Sequence, residues 1–235
     1  MNSENQDEQS KFFEQWNIYQ SVIKNNYMFH AQIIDILKTE VDYLNSPSIL
    51  DLGCGDSYVV KKILDEKVKI HYTGIDSSSM AIQSSKNNLC HFKGEVSHIQ
   101  GDFLEELRKI ETTFDMIISG YSLHHLSREY KEEFFSLISN VISDNGIFIF
   151  YDIELNQNET IVDFLNRACE IFSNEWDVFN TNEIEKIVGH VQQSDIPESE
   201  EFYINNITKA GVLSSRKVFE DKNDLFALYV SRNNF

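Results

Sequence analysis

A chain of 235 residues, 41% hydrophobic and 12% aromatic, has the length and apolar content for one large α/β domain with a sizeable core. Acidic residues outnumber basic ones 38 to 20, a formal charge of −18. That surface repels phosphate backbones and argues against a nucleic-acid partner, with Lys61-Lys62 and Arg108-Lys109 read as solvated helix faces. No apolar run approaches the roughly 18 residues of a membrane span, and Met1 to Gln9 lacks the basic start and apolar core of a secretion signal. Cys54, Cys90 and Cys169 form no CxxC or zinc-type cluster, so the expectation is a cytoplasmic protein with reduced thiols, no membrane partner and no metal.

From Gln9 to Val41 the spacing of Phe12, Phe13, Trp16 and Tyr19, and then of Ile33, Ile34, Leu37 and Val41, predicts helices broken near Asn25-Asn26. After Pro47, strands and helices alternate. Ser48 to Leu52 is a short strand running into Gly53-Cys54-Gly55, followed by a helix from Ser57 to Glu66. The second strand, Ile70 to Ile75, ends at Asp76, and a helix follows from Ser78 to Leu89. Val96 to Gln100 leads into Gly101-Asp102-Phe103. Phe114 to Ser119 leads into Gly120-Tyr121-Ser122-Leu123-His124-His125-Leu126. A helix from Arg128 to Ile142 reaches the turn Asp144-Asn145-Gly146 and a fifth strand, Ile147 to Asp152. Strands joined by crossover helices imply a parallel, right-handed, doubly wound sheet.

The tail reads differently. Helices are predicted over Glu159 to Phe172 and Glu183 to Val191, with Asn180 and Glu183 spaced as a capping box. After Pro197 another runs from Ser199 to Ala210, with Gly211 as C-cap glycine. Arg216 to Glu220 and Leu225 to Ser231 are separated by Asp221 to Asp224, too short for a crossover, so they form an antiparallel hairpin. One domain over 1–235 results: a helical cap 1–45, a core 46–153, a helical lid insertion 154–198, and a last helix and hairpin 199–235.

The strand ends carry the chemistry. Glycines at Gly53 and Gly55 let a ligand approach the backbone where the first strand meets a helix. Asp76 stands where a carboxylate can accept from both hydroxyls of a ribose, or else serves, with Ser77 to Ser79, to cap the next helix. Asp102 can accept from an adenine amine beside the N–H and ring of Phe103. Ser119 and Gly120 leave room at the sheet's switch point.

The series DLGCGDS, YTGIDSS, IQGDF, FDMIISGYSLHHL and DNGIFIFYD resembles the ordered motifs of class I S-adenosylmethionine-dependent methyltransferases over Ser48 to Asp152. The resemblance implies a Rossmann-like, seven-stranded, mostly parallel sheet with a C-terminal antiparallel hairpin and a helical N-terminal cap. It implies S-adenosylmethionine as cofactor, with Asp51, Gly53, Cys54 and Gly55 around the methionine part, Asp76 and Ser77 at the ribose, and Asp102 and Phe103 at the adenine. Ser119 and Gly120 then lie under the sulfonium and amino group. Ser57 departs from the pattern, standing where many members carry a third glycine. An NAD-binding Rossmann domain is the competing fold, disfavoured because Asp51 suits a cation better than a pyrophosphate.

For the acceptor side, His124 and His125 follow the fourth strand, with His124 the preferred catalytic candidate of the two. Asp152 is a third candidate, to bind an acceptor amine or to cap the following turn. Tyr19, Tyr27 and His30 on the cap, with Tyr121 and Tyr151, are acceptor-lining candidates, any of which can equally be packing aromatics. The Phe12/Phe13/Trp16 stripe is read as core. A small-molecule acceptor methylated on O or N is the leading expectation. A non-catalytic binding module is the alternative, and a protein or RNA acceptor comes third.

Overall fold

The computed structural model describes residues 16–64, 69–211 and 214–232. The helical start at Gln9, the aromatic positions Phe12 and Phe13, and the helix end at Glu66 lie outside the described residues. Residues 16–24 are helical (α1). The chain then turns through Asn26, whose φ of 57° is left-handed, as the Asn25-Asn26 pair predicts, and enters α2 (His30–Val41).

Apart from the short α5, the core follows in the predicted order: β1 (Ser48–Leu52), α3 (Tyr58–Ile63), β2 (Lys69–Asp76), α4 (Ser79–Leu89), β3 (Lys93–Gln100), α5 (Phe103–Leu107), β4 (Phe114–Gly120), α6 (Arg128–Val141) and β5 (Ile142–Leu155). The tail supplies α7 (Ile161–Glu175), α8 (Thr181–Ser194), β6 (Glu198–Ser199), α9 (Glu200–Lys209), β7 (Ser214–Glu220) and β8 (Phe226–Arg232). The sheet order is β3-β2-β1-β4-β5-β8-β7, with the two-residue β6 paired to β5 off that path. Strands β1 to β5 are parallel; β8 runs antiparallel to β5 and to β7. The seven-stranded expectation thus holds for the main path, and β6 is an added parallel bridge of Glu154-Leu155 to Glu198-Ser199.

Alternation along the central strands sends apolar side chains to both faces, as a doubly covered sheet requires. Ile49, Met116, Ile118, Ile147 and Ile149 pack with α2, α3 and α4 on one face. Leu50, Leu52, Ile117, Phe148 and Phe150 pack with α5, α6 and α9 on the other. A third cluster joins Val22 of α1 to Phe164, Phe172 and Trp176 of the α7 region and Phe226 of β8.

Two local readings are corrected. The Asp144-Asn145-Gly146 turn lies within β5: Phe114 pairs with Ile142 but Met116 with Ile147, so residues 143–146 loop out of the ladder. The short α5 was not anticipated, because five residues are too few to show a helical period. The Asn180/Glu183 capping box is present in both directions, and Gly211 takes the left-handed φ of 85° that ends α9.

Candidate active site

The chain order along β2-β1-β4 reverses at β1, which makes the carboxyl ends of β1 and β4 a switch point of the kind where doubly wound sheets bind ligands. A cavity of about 420 Å³ lies there, lined by residues that follow both strands. Its described lining includes Asp51, Asp56, Asp76 and Asp102 but no lysine or arginine.

The glycine turn is tied down from below. The N–H groups of Gly53 and Cys54 both donate to the carbonyl of Ile75 at 2.9 Å, and that of Gly55 donates to Asp76 Oδ2 at 2.9 Å. These donors are spent inside the protein, so the turn is not the N–H cradle a pyrophosphate needs. Gly53 and Gly55 have φ of 70° and 53°, values that cost a side-chain-bearing residue but not glycine. A Cβ on Gly53 would meet Ser122 Oγ at 2.2 Å, whereas at Gly55 the space beside the backbone is open.

Ser57, in place of a third glycine, also adopts a left-handed φ of 57°. Its hydroxyl lies 2.6 Å from Tyr72 Oη and 2.5 Å from Ser85 Oγ, and Ser85 Oγ lies 2.6 Å from His98 Nε2. Tyr72 Oη in turn donates to Asp51 Oδ2 at 2.9 Å. The serine therefore offsets backbone strain with a buried hydrogen-bonded chain that ends on Asp51. Burial raises the Asp51 carboxyl to about 7 against that hydrogen bond, and the charges of Asp76 and Asp56 push the same way. A cation placed in the cavity would relieve this.

Asp76 does not cap α4; Ser78 does, accepting from Ala81 N–H. Asp102 caps α5, with Oδ1 accepting from Leu104 and Glu105 at 3.0 and 2.9 Å. Among the remaining cofactor candidates, Cys54, Ser77, Phe103 and Gly120 line the cavity. Ser119 does not: it is buried, and its hydroxyl has no hydrogen-bond partner among the described residues.

A second cavity of about 670 Å³ adjoins the first, sharing Tyr19, Tyr121 and His125. Its walls are largely apolar, from Ile18 and Val22 of α1, Phe172 and Trp176 of the α7 region, Ile187 and Val191 of α8, and Ile153 and Phe226 of the sheet. Tyr19 and Tyr121 thus stand where both spaces meet. His30 and Tyr151 line only the first. Burial holds His30 down to about 4, and its Nδ1 has no hydrogen-bond partner among the described residues.

Three candidates sit elsewhere than expected. Tyr27 lines neither cavity: it stacks on Trp176 with centroids 5.1 Å apart and donates to Asp177 Oδ1 at 2.6 Å, tying the N-terminal segment to the end of α7. His124, the preferred histidine, faces only the second cavity, while His125 lines both. Asp152 is buried and lines neither; it pairs with His124 Nδ1 and accepts the backbone N–H groups of His124 and Ile153 at 3.1 and 2.8 Å. The charge of Asp152 raises the His124 pKa against burial. Sequence reasoning missed Asp56, although it directly follows the glycine turn, and Trp16 and Ser122 as lining residues.

The sheet and the site at its switch point place the molecule in the doubly wound α/β class. The profile of the family described as methyltransferase domain matches residues 45–206, more than half of the chain, and the chain belongs to that family, with the class I Rossmann-like fold. It is 29% identical over 145 residues to an uncharacterized methyltransferase of Anoxybacillus flavithermus, covering 60% of this chain and 65% of that relative. The chain therefore spans less than two thirds of that relative's length. It is 27% identical over 200 residues to the malonyl-[acyl-carrier protein] O-methyltransferase of Bacillus cereus, covering 81% of this chain and 71% of the relative. In structure it resembles the magnesium protoporphyrin IX methyltransferase of Synechocystis with SAH bound, at a TM-score of 0.64 and 13% identity, over 95% and 94% of the two chains.

Proposed function

We propose that this chain is an S-adenosylmethionine-dependent methyltransferase acting on an O or N atom of a small-molecule acceptor. The observation that carries the reading is the first cavity: four aspartates and no lysine or arginine among its described lining. Such a wall suits a cation and disfavours a pyrophosphate. When bound, S-adenosylmethionine supplies a methyl group on a positively charged sulfur.

Asp51 and Asp56 supply negative charge beside the glycine turn, for a cationic amino group and sulfur. Asp76 keeps lone pairs for ribose hydroxyls beyond those used by Gly55 and Ser78. Both cap bonds of Asp102 use Oδ1, which leaves Oδ2 to accept from an adenine amine. Tyr19, Tyr121 and His125, common to both cavities, are the residues that orient an acceptor toward the donor. Orientation in a water-poor site is worth on the order of 7–11 kcal/mol of barrier. The apolar second cavity takes the acceptor body, consistent with a small organic molecule. Similarity to the malonyl-[acyl-carrier protein] O-methyltransferase supports an oxygen acceptor.

Calorimetry with S-adenosylmethionine and with NAD tests the donor. Binding of the first and none of the second is expected; the reverse overturns the reading. Release of S-adenosylhomocysteine with a panel of hydroxyl and amine acceptors then separates an enzyme from a non-catalytic binding module.

A further inference from the structure

The second cavity has a polar corner assembled from distant parts of the chain. His124 and His125 lie on the 3-10 turn Leu123–His125, and Asp195 directly follows α8. Backbone bonds stitch these segments together. The N–H of Ile196 donates to the carbonyl of His124 at 2.7 Å. The buried ammonium of Lys131 donates to the carbonyls of Leu126 and Ile196, each at 2.6 Å.

Asp195 is thereby pressed against both imidazoles. Its Oδ1 lies 3.7 Å from His124 Nε2 and 3.6 Å from His125 Nδ1. One donor atom from each of the three side chains falls within 4.8 Å of the other two. The Asp195 side chain is only 6% exposed, yet Oδ1 has no hydrogen-bond partner among the described residues. A buried carboxylate oxygen in that condition bears an uncompensated desolvation penalty, which a bound cation would offset. On the far side of His124, Asp152 holds Nδ1 and so directs Nε2 toward Asp195. A carboxylate on the outer nitrogen of a ligating histidine is the usual support of a metal ligand.

The geometry points to a divalent metal site with His124, His125 and Asp195 as its three protein ligands and its remaining position open to the second cavity. Two imidazoles and a carboxylate suit Zn²⁺ and neighbouring first-row ions. Tetrahedral bonds of about 2.0–2.2 Å put ligand atoms roughly 3.3–3.6 Å apart, so small side-chain movements close the site. The expectation of no metal rested on the cysteines and on local spacing, and neither reports on a ligand set that joins residues 124 and 125 to residue 195. The ion sits beside His125, which lines both cavities, and its task is to hold and polarise an acceptor oxygen. That task rests on the methyl-transfer reading; the binding site itself does not.

The full chain, stripped of metal by a chelator, is titrated with Co²⁺ and followed by visible absorption. One saturable equivalent is expected, lost in His125→Ala and in Asp195→Asn. Asp152→Asn, which acts through His124 orientation, should bind about 10–100-fold more weakly. Circular dichroism and melting of each variant report whether it folds, and the two single-ligand variants are independent of each other. Absence of saturable binding by the wild type overturns the site, as does unchanged binding by a folded Asp195→Asn. Calorimetry with S-adenosylmethionine on the same metal-free sample keeps the two readings apart. Donor binding without Co²⁺ binding removes only the metal site, and Co²⁺ binding without donor binding removes only the methyl-transfer reading.

Discussion

The carboxylate of Asp76 reaches from the end of β2 and accepts the N–H of Gly55 through Oδ2 at 2.9 Å, while Oδ1 accepts the N–H of Ser78 at 2.8 Å. One side chain thus locks the glycine turn to the next strand and presents its remaining lone pairs to the cavity. Asp76→Ala should weaken S-adenosylmethionine binding at least about tenfold, given roughly 1.5–3 kcal/mol for a hydrogen bond to a charged group. It should also lower the melting temperature, because two backbone donors lose their acceptor. Calorimetry decides the first point, and unchanged affinity removes Asp76 from the ligand site.

The Asp51 carboxyl, raised from 3.8 to about 7 chiefly by burial, makes the apo protein pH-sensitive. Over that window the folded chain holds a proton that the unfolded chain has released, so this group's contribution to stability falls as pH rises. His30 and His125, both held down to about 4, act in the opposite sense below their usual range. The informative quantity is therefore the difference between wild type and Asp51→Asn in thermal melts. The variant should gain stability relative to wild type as pH climbs from about 4 to about 7. Its S-adenosylmethionine affinity should lose the rise through neutral pH that ionised Asp51 confers on the wild type. A melting difference that stays flat with pH would contradict this.

How far the sequence foretold these features depended on distance along the chain. Asp51, Gly53, Gly55, Asp76 and Asp102 were legible because each abuts the end of an apolar strand, where period and punctuation agree. Ser57 was legible as a departure, but not its hydrogen bonds to Tyr72 and Ser85, which come from two other elements. The choice between His124 and His125 was beyond local pattern: on a 3-10 turn successive side chains diverge by about 120°, so packing decides which one faces the cavity. Tyr27 reads as a pocket residue from the sequence because it shares the N-terminal cap with His30. In the structure it lies in the turn before α2 and is captured by Trp176, about 150 positions downstream. β5 misled because Asp-Asn-Gly is a turn signal even where it marks a bulge inside a strand.

Gly120 ends β4 with no room for a side chain. A Cβ there would come within 2.1 Å of Tyr151 Cζ and Oη, and Tyr151 is itself hemmed in by Tyr121 at 5.0 Å between centroids. Gly120→Ala should destabilise the fold by about 1–3 kcal/mol through overpacking. It should also push Tyr151 into the first cavity and weaken donor binding. The double variant Gly120→Ala/Tyr151→Ala should recover part of the affinity, giving a coupling free energy outside the additive range. Strict additivity in denaturant melts would show that the two residues do not share this space.

Tyr27 clasps the N-terminal segment to the end of α7, beside the apolar contacts that Val22 makes there. Tyr27 stacks on Trp176 with ring planes 8° apart, donates to Asp177 Oδ1 at 2.6 Å and accepts the N–H of Val178 at 3.1 Å. Because Trp176 also lines the second cavity, the proposed acceptor space, this clasp should affect acceptor binding and not donor binding. Tyr27→Phe keeps the stack and removes both hydrogen bonds; at a surface site the loss is about 0.5–1.5 kcal/mol. The expected signature is a severalfold rise in acceptor KM with unchanged S-adenosylmethionine affinity, whereas Tyr27→Ala, which removes the stack too, should raise it further. Loss of donor affinity in Tyr27→Phe would instead mean that the clasp holds α1 over the first cavity, since Trp16 and Tyr19 of that helix line it.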